Sequence, residues 1–415
     1  MFLNKKDSIL MITYFYALQG CCPAEWAEDK ISALDYLGKK VILLSSISSK
    51  KLCNKNVKHY RIPSLSLVDL RHEIDELKND KQPIPKFTLM LLLPFILTIG
   101  LMLDLLQKYV TSGNGGGKWS WTFPAAICAL YLSIRHRCEL IFTTGGPAGA
   151  HLAGIFVKFF TRTRLVCELQ DPLTGKGIGR NSRSTFFLGY VEKIMLSYAN
   201  KVVYVTYDAA RYVQSKYQNI NANVVGIYPG SKNFNVKNQL INRDKLTIIH
   251  LGTLYSARNL YTLIEAIDSL IEEKEISKDD IEILNLGEMY GDLKDHHLSR
   301  PYINYEPIKP REEAIKIASG YMVSLLVQHN DSRSNTTIPY KTYDYLNISN
   351  PILALTNSIE LKEIMLKSGH MAVDINNIEK IRKSLLSLIK NYESCKNNVK
   401  SKSIDIVKQT EEIIK

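Results

Sequence analysis

A lysine and a carboxylate three positions apart, Lys341 and Asp344, stand out in the stretch 336–355. The stretch predicts a helix followed by a short buried strand, because a proline precedes the lysine and Thr336 or Thr337 can cap the first turn. Side chains three apart share one helix face. There, a lysine and free backbone N–H groups can bind phosphate, and a carboxylate can accept hydrogen bonds from ribose. The pattern suits a sugar nucleotide, although a solvated Lys/Asp pair on an amphipathic helix explains it equally well.

Further candidate residues lie where predicted strands turn into helices in the first half of the chain. Gly146 belongs to a tight turn between a strand and a helix, and His151 lies near the start of that helix. Asp171 stands at the end of the next strand, 164–170. Glycines at such junctions let a ligand approach the backbone at the carboxyl edge of a parallel sheet. His151 is either a packed first-turn histidine or a catalyst, and Asp171 either faces the ligand or shapes the following loop.

The elements around these residues predict a doubly wound α/β domain. The first apolar run reads as a buried strand rather than a signal peptide, because Asp7 adjoins it and the run is rich in Ile, Tyr and Phe. A loop with Gly20, a helix over 26–37 and a strand over 40–45 follow. This order of strand, loop, helix and strand is the opening of a doubly wound sheet.

The same pattern begins again after a polar segment at 233–245, which we interpret as a linker. Strand 246–251 is followed by a loop with Gly252 and by an apolar helical stripe. We therefore predict an α/β protein of two Rossmann-like doubly wound domains that face each other across a cleft. The predicted N-terminal acceptor domain is 1–236 and the nucleotide-sugar domain 237–398. For the C-terminal helix, 399–415, packing back on the N-terminal domain is one option.

Composition and charge indicate the compartment of the protein and the kind of partner that it binds. The seven cysteines are scattered and odd in number, without metal-type spacing, so free thiols in a reducing cytosol are expected. Of the net charge of +12, residues 1–240 hold 30 Lys/Arg and 16 Asp/Glu, and the remainder holds 23 and 25. The excess positive charge therefore lies in the first half. It indicates either an anionic partner, such as membrane phospholipid or nucleic acid, or simple solubility charge.

The apolar segment 87–110 contains seventeen consecutive uncharged residues before Asp104. A bilayer span needs about 20 residues, and Pro94 and Gly100 are expected to break the segment. We favour a helix or helical hairpin lying in one leaflet, helped by the basic surroundings; a buried core helix is the alternative. The glycine-rich loop 111–118 lacks the spacing of a phosphate loop.

Four segments together make the sequence similar to glycosyltransferase family 4 of the glycosyltransferase B fold, in its bacterial surface-polysaccharide type. They are residues 141–152 with the sequence IFTTGGPAGAHL, residues 165–172 ending in Asp171-Pro172, residues 248–260 with Gly252 and Arg258, and residues 339–353 with the sequence PYKTYDYL followed by PIL. The last segment resembles the family's "PSKxFEYLAxGxPIL" most specifically.

The resemblance implies transfer of a sugar from a nucleotide-diphosphate donor to a saccharide acceptor, usually with retention and without a metal ion or other cofactor. It implies a lipid-linked acceptor and a cytoplasmic protein attached to the inner face of the plasma membrane. Carried onto this chain, it suggests catalytic, donor-binding and acceptor-side residues. The catalytic residues are Asp171, Arg258 and Lys341. The donor-binding residues are Gly252, Thr253, Gly287, Tyr305, Ile308, Thr336, Thr337 and Asp344. The acceptor-side residues are Gly20, Gly146 and His151.

The sequence departs from the family where two glutamates are usual, since it has Thr336 and Asp344 there. The alternative function is therefore a non-catalytic scaffold of the same fold in a polysaccharide assembly complex. A Rossmann oxidoreductase is disfavoured, because neither half begins with strand, G-x-G-x-x-G and helix. Nucleic-acid binding is disfavoured because no basic stripe alternates with aromatic residues. The sequence makes no prediction about oligomeric state.

Overall fold

The computed structural model of the 415-residue chain describes residues 8–18, 20–52, 54–79, 81–111, 118–175, 182–218, 220–234, 236, 244–400 and 403–415. The chain divides into an N-terminal unit, Met1–Pro229 with Ile406–Lys415, and a C-terminal unit, Gly230–Asp405. This division falls a few residues before the predicted one at 236/237. Most of the predicted linker 233–245 and of the glycine-rich loop 111–118 lies outside the described residues.

The described residues of the N-terminal unit include seven strands: β1 Ser8–Ile12, β2 Lys40–Ser46, β3 Val57–Ile62, β4 Leu140–Thr144, β5 Arg164–Leu169, β6 Lys201–Tyr204 and β7 Asn223–Gly226. They form one parallel sheet in the order β3-β2-β1-β4-β5-β6-β7. Strands β1 and β4 are buried along their whole length, as expected where helices cover both faces. The strand order reverses between β1 and β4, so the loops after these two strands lie at the edge where such sheets bind ligands.

Helices of the N-terminal unit connect these strands. They are α1 Cys22–Tyr36, α2 Leu67–Asn79, α3 Lys86–Thr111, α4 Trp119–His136, α5 Ala148–Thr161, α6 Ser182–Tyr198 and α7 Tyr207–Lys216, joined by the C-terminal helix α15 Ile406–Ile414. Helix α15 packs on α1, and Ile413 is fully buried in the same core as β1. Arg164 fixes the end of α15 by donating to the carbonyl of Ile414 at 3.0 Å.

The prediction that Pro94 and Gly100 break the apolar segment is wrong, because helix α3 runs unbroken from Lys86 to Thr111. A proline removes one backbone donor, and this helix tolerates that loss within its length. Gly100 serves packing: a Cβ there would lie 3.0 Å from Leu67 Cγ and 3.2 Å from the Leu65 carbonyl. The glycine therefore lets α3 approach the chain that leads into α2.

Near its end, α3 contacts the protein through Asp104, Gln107 and Tyr109, and along its length one apolar stripe does so. Its members are spaced three and four apart and pack around the small core of α2: Leu89, Leu92, Ile96, Ile99 and Leu103. The other faces are apolar and exposed. The stretch Leu89–Tyr109 is long and apolar enough to cross a bilayer, and only about a tenth of it is buried in the protein. The alternative of a buried core helix is therefore wrong.

The described residues of the C-terminal unit include six strands: β8 Leu246–Leu251, β9 Ile281–Leu286, β10 Ile303–Glu306, β11 Val323–Val327, β12 Ile352–Leu355 and β13 Met371–Val373. They form a second parallel sheet in the order β10-β9-β8-β11-β12-β13. Its helices are α8 Tyr261–Glu272, α9 Leu293–Leu298, α10 Arg311–Ser319, α11 Lys341–Tyr345, α12 Ile359–Lys367, α13 Ile378–Lys390 and α14 Tyr392–Asn397. The order reverses between β8 and β11, as in the first sheet.

Helix α11 is shorter than the sequence suggests. It begins at Lys341, and its N-cap Tyr340 makes no side-chain cap hydrogen bond, so the predicted cap by Thr336 or Thr337 is wrong. A 3-10 turn over Ser332–Asn335, capped by Asp331, occupies the chain before it. Thr337 donates from its hydroxyl to the Arg333 carbonyl of that turn, at 2.9 Å. With one helical turn, α11 offers no helix N-terminus able to bind phosphate on its own.

Candidate functional site

Two glycines form the floor of the candidate donor site, at the carboxyl ends of the neighbouring strands β8 and β9. Gly252 and Gly287 have φ angles of +107° and +141°, which side chains rarely adopt. A Cβ on Gly287 would lie 2.5 Å from the Gly252 carbonyl oxygen, so the two backbones touch. The N–H groups of Gly252 and Leu254 donate to the carbonyls of Leu286 and Glu288, each at 2.8 Å. Those two amides are therefore engaged, and the half-buried Thr253 lies between them.

Lys341 lies directly beside this floor. Its Nζ donates to the Leu251 carbonyl at 2.7 Å and would be 4.0 Å from a Cβ on Gly252. Nζ also lies 2.5 Å from His250 Nε2. Burial lowers the pKa of the Lys341 ammonium well below its ordinary value, and the positive charge of Arg258 adds to the shift. Lys341 and Gly252, which the resemblance assigns to the donor, are therefore neighbours in the fold, and donor binding by these residues stays a prediction.

Arg258 ends the loop that starts at Gly252. Mutual backbone hydrogen bonds with Tyr255, of 2.7 and 2.8 Å, close the turn. The guanidinium lies 3.0 Å, through Nη2, from His329 Nε2, and its carbon is 5.6 Å from the centre of the Tyr255 ring. Burial and then the charge of Arg258 lower the pKa of His329 to about 3, so this imidazole is neutral and accepts from Arg258. Two predicted cations, Arg258 and Lys341, therefore lie at one edge of one sheet.

Asp344 is held by an arginine that sequence reasoning missed. Arg311 donates through Nε to Oδ2 at 3.0 Å and through Nη2 to Oδ1 at 2.6 Å. Ser231 donates to Oδ1 at 2.5 Å, and the carboxylate is buried. A ribose hydroxyl would have to share an acceptor that already serves these three donors. The ribose contact of Asp344 stays a prediction.

The remaining predicted donor residues lie on β10 and around the 3-10 turn. The Tyr305 hydroxyl donates to Glu288, the residue after Gly287, at 3.2 Å, while Ile308 follows β10 and is exposed. Thr336 ends the 3-10 turn. Gln328, at the end of β11, ties the carbonyl of Thr337 to the sheet through its side-chain amide. Tyr305 thus lies close to the glycine floor, and the two threonines lie in the segment that leads to α11.

The acceptor-side residues lie in the N-terminal unit. Gly20 precedes α1 with a φ of +69°, and a Cβ on Gly146 would meet no atom within 4 Å. His151 is fully buried, with Nε2 3.2 Å from the Gly145 carbonyl and Nδ1 2.8 Å from Thr143 Oγ1. Burial lowers its pKa to about 4. The neutral ring joins α5 to β4, which matches the packed histidine that the sequence left open, and its role on the acceptor side stays a prediction.

Asp171 is exposed just after β5, and the loop that carries it is fixed by Glu192 of α6. The fully buried Glu192 carboxylate accepts from the Leu173 N–H at 2.8 Å and from the Thr174 hydroxyl at 2.6 Å. It also accepts from the Tyr217 hydroxyl at 2.8 Å. Sequence reasoning did not single out Glu192, because an isolated glutamate on a predicted helix carries no signal of burial.

No group of three or more His, Cys, Asp or Glu side chains that could hold a metal ion occurs in the described part of the chain. The cations at the candidate donor site are Arg258 and Lys341, whose chemistry suits a diphosphate. Metal-independent transfer stays a prediction.

Comparison of the sequence with protein-family models and with curated proteins gives no match. Solved structures are similar over the whole chain. Anabaena HepE in complex with UDP and glucose has a TM-score of 0.61, 10% identity and coverage of 99% of this chain and 98% of its own. Sucrose-phosphate synthase from Thermosynechococcus elongatus has a TM-score of 0.62, 11% identity and coverage of 98% and 94%.

A third similar structure is a Listeria monocytogenes protein described as a UDP-N-acetylglucosamine 2-epimerase, with a TM-score of 0.55, 10% identity and coverage of 99% and 95%. At these identities the similarity shows the fold alone. Two parallel-sheet α/β units with these neighbours confirm the predicted fold class: the chain has two Rossmann-like domains of the glycosyltransferase B fold.

Proposed function

We propose that the protein is a glycosyltransferase that moves a sugar from a nucleoside-diphosphate donor to an acceptor hydroxyl. The observation that carries the proposal is the placement of two cations at the carboxyl edge of one sheet, Lys341 beside Gly252 and Arg258 at the end of the loop that starts there. An arginine can bind phosphate oxygens in a fork, and a lysine adds a second charge. HepE, one of the structural neighbours, is described in complex with UDP-glucose, which supports UDP as the first donor nucleotide to test.

The chemical role of these cations follows from the leaving group. Negative charge develops on the nucleoside diphosphate as the glycosidic bond breaks, so fixed positive charges stabilise the transition state more than the ground state. Neutral His329 and the Leu251 carbonyl hold the two cations in place before the donor arrives. Prepositioned charges need no reorganisation during the reaction. We propose that transfer proceeds without a metal ion and with retention, as the resemblance to family 4 implies.

We propose a lipid-linked saccharide acceptor at the inner face of the plasma membrane, within surface polysaccharide synthesis. Helix α3 presents apolar side chains that the protein leaves exposed, among them Leu91, Phe95 and Leu101. Helices α3 to α6 carry six Lys/Arg and two Asp/Glu in their sequences. Apolar area beside positive charge favours anionic bilayers. The protein would then reach an acceptor that cannot leave the membrane.

Nucleotide binding and transfer are tested with purified protein. Calorimetry with UDP, GDP and ADP measures binding, and radiolabelled nucleotide sugars are incubated with a membrane lipid extract. We expect binding of one nucleoside diphosphate and transfer of label to the lipid phase. Binding without transfer would favour the non-catalytic scaffold. Altered stereochemistry of the recovered sugar nucleotide would favour an epimerase, and absence of any nucleotide binding would contradict both enzyme functions.

A further inference from the structure

A chain of three side chains runs beneath the glycine floor of the C-terminal unit. Asn285, near the end of β9, donates from Nδ2 to the Gly287 carbonyl at 2.7 Å. Its Oδ1 lies 2.6 Å from His250 Nδ1, and His250 Nε2 lies next to Lys341 Nζ. His250 and Asn285 are both fully buried. The glycine turn after β9 is therefore linked through two neutral side chains to the lysine beside Gly252.

The direction of each hydrogen bond follows from chemistry alone. A carbonyl oxygen only accepts, so the Asn285 amide nitrogen must face Gly287 and its oxygen must face the histidine. His250 Nδ1 then carries the proton, because an amide oxygen cannot donate. In a neutral imidazole the other nitrogen is an acceptor, so Nε2 accepts from the Lys341 ammonium. Burial, the charge of Lys341 and the charge of Arg258 lower the pKa of His250, while the Asn285 contact raises it.

Lys341 has three N–H groups to direct. One points to the Leu251 carbonyl and a second to His250 Nε2, and the described residues give it no further acceptor. With two directions fixed, the third is fixed by the tetrahedral geometry of the ammonium. A histidine in the other tautomer would present an N–H to the ammonium and push it away from this position.

We propose that His250 and Asn285 are a positioning pair, which sets the direction of the Lys341 ammonium so that its third N–H meets a donor phosphate oxygen. The inference rests on the proposed function, because the ligand is the diphosphate of the same donor. His250 acts through Lys341 and does not touch the substrate. Asn285 selects the histidine tautomer and also anchors the Gly287 turn.

The test compares His250→Leu, which removes the acceptor, with His250→Gln, whose amide oxygen reaches about as far as Nε2. His370→Leu is the matched control. His370 is a buried histidine that accepts from the Ile352 N–H at 3.3 Å, at the start of β12 and thus at the opposite edge of the sheet. Calorimetry measures UDP affinity, and thermal melting reports folding. Long-range 1H–15N spectra of the ligand-free wild type report the tautomer of His250.

We expect His250→Leu to weaken UDP binding by about tenfold or more, since a hydrogen bond to a charged group is lost. His250→Gln and His370→Leu should stay within about threefold of the wild type. The spectra should show the Nδ1–H tautomer. A ligand-free Nε2–H tautomer, or wild-type affinity in a folded His250→Leu variant, would overturn this inference alone. A wild type that binds no UDP, GDP or ADP would overturn the proposed function as well.

Discussion

Arg311 and Asp344 form a two-point ion pair, Nε to Oδ2 at 3.0 Å and Nη2 to Oδ1 at 2.6 Å. Both side chains are largely buried, with 12% and 7% of their surface exposed. The guanidinium also lies 4.8 Å from the centre of the Tyr340 ring. The pair joins the first residue of α10 to α11, the helix that carries Lys341. The position of the predicted donor-binding helix therefore depends on an arginine outside it.

We predict that Arg311→Ala destabilises the C-terminal unit by about 3–5 kcal/mol, because it leaves the buried Asp344 carboxylate without its cation. Arg311→Lys keeps the charge but loses the fork, so its loss should be smaller. Guanidinium unfolding, with hydrogen exchange of peptides covering α10 and α11, measures the change. Lys367→Ala is the control, because its pair with Glu363 is exposed and should cost less than about 1 kcal/mol. A similar loss for both alanine variants would contradict the prediction.

Arg258→Ala and Lys341→Ala should each weaken nucleoside-diphosphate binding by about ten- to hundredfold, since each removes a charge-assisted hydrogen bond. The double variant should abolish binding. Arg258→Lys should recover little, because a lysine cannot bind phosphate as a fork. Calorimetry with UDP checks these values, and Lys362→Ala, whose partner Asp374 is partly exposed, is the matched control. Unchanged affinity in the folded double variant would place the donor elsewhere.

Much of this architecture could be predicted from local pattern. Strand β8 begins and ends at the predicted residues, 246–251, because buried parallel strands are largely apolar runs bounded by turn residues, and β9 follows the same pattern. The glycines after them mark the ligand edge of the sheet. The repeated order of strand, turn and helix is local as well, and it predicted two doubly wound domains.

The partners within the site could not be predicted in the same way. His250 lies 91 positions from Lys341, and Arg311 lies 33 from Asp344, so no helical or strand period connects them. His250 reads as one more residue of a buried strand. The predicted cap at Thr336 or Thr337 was wrong because Asp331 starts a competing 3-10 turn just before α11. The local sequence does not distinguish a 3-10 turn at this position from an earlier start of α11.

We predict that Glu192 stabilises the loop that carries Asp171. Glu192→Ala leaves the Leu173 N–H and the Thr174 hydroxyl without their acceptor, and it removes the partner of Lys216. We expect a stability loss of about 3 kcal/mol or more. Glu192→Gln keeps one carbonyl acceptor and should lose less. Peptides covering 165–175 should exchange amide hydrogens faster in Glu192→Ala than in the wild type, and unchanged exchange there would contradict the prediction.

Because His151 is buried, we predict that the stability of the N-terminal unit falls at acid pH. Its folded pKa of about 4 lies below the ordinary histidine value of 6.5, because burial favours the neutral ring. The unfolded chain therefore binds a proton that the folded chain excludes between these two values. Stability is fully present above about pH 6.5 and falls as pH drops towards 4, by about 3 kcal/mol for this group.

His151→Gln should therefore flatten the pH dependence of unfolding between pH 6.5 and 4. The exposed His72 offers the matched control, since its ring is largely in solvent, and His72→Gln should keep the wild-type slope. Guanidinium unfolding at half-unit pH steps measures both slopes. Equal slopes in the wild type and His151→Gln would mean that the buried ring does not titrate differently in the folded chain.

Because α3 exposes an apolar face, we predict that the protein binds membranes. Charged substitutions on this face should abolish that binding. Leu91, Phe95 and Leu101 are 56%, 60% and 64% exposed. A triple change of these residues to Glu should cost little stability, because the exposed faces do not pack on the protein. It should lower binding to vesicles of phosphatidylglycerol and phosphatidylcholine by about a hundredfold or more, since burial of each large apolar side chain contributes about 1.5–3 kcal/mol.

Vesicle co-sedimentation of the full chain measures this loss. Ile359 and Leu366 on α12 of the C-terminal unit are also exposed, at 73% and 62%, so Ile359→Glu with Leu366→Glu gives a matched control that should bind as the wild type does. Raising the salt concentration should weaken binding of the wild type to anionic vesicles, because the basic residues of α3 to α6 contribute through charge. A wild type that stays in the supernatant at low salt would contradict membrane attachment, and so would a triple variant that sediments unchanged.

Because Lys341 and Arg258 lie in the C-terminal unit, the UDP affinity of the triple variant should equal that of the wild type. This measurement separates loss of membrane binding from loss of donor binding.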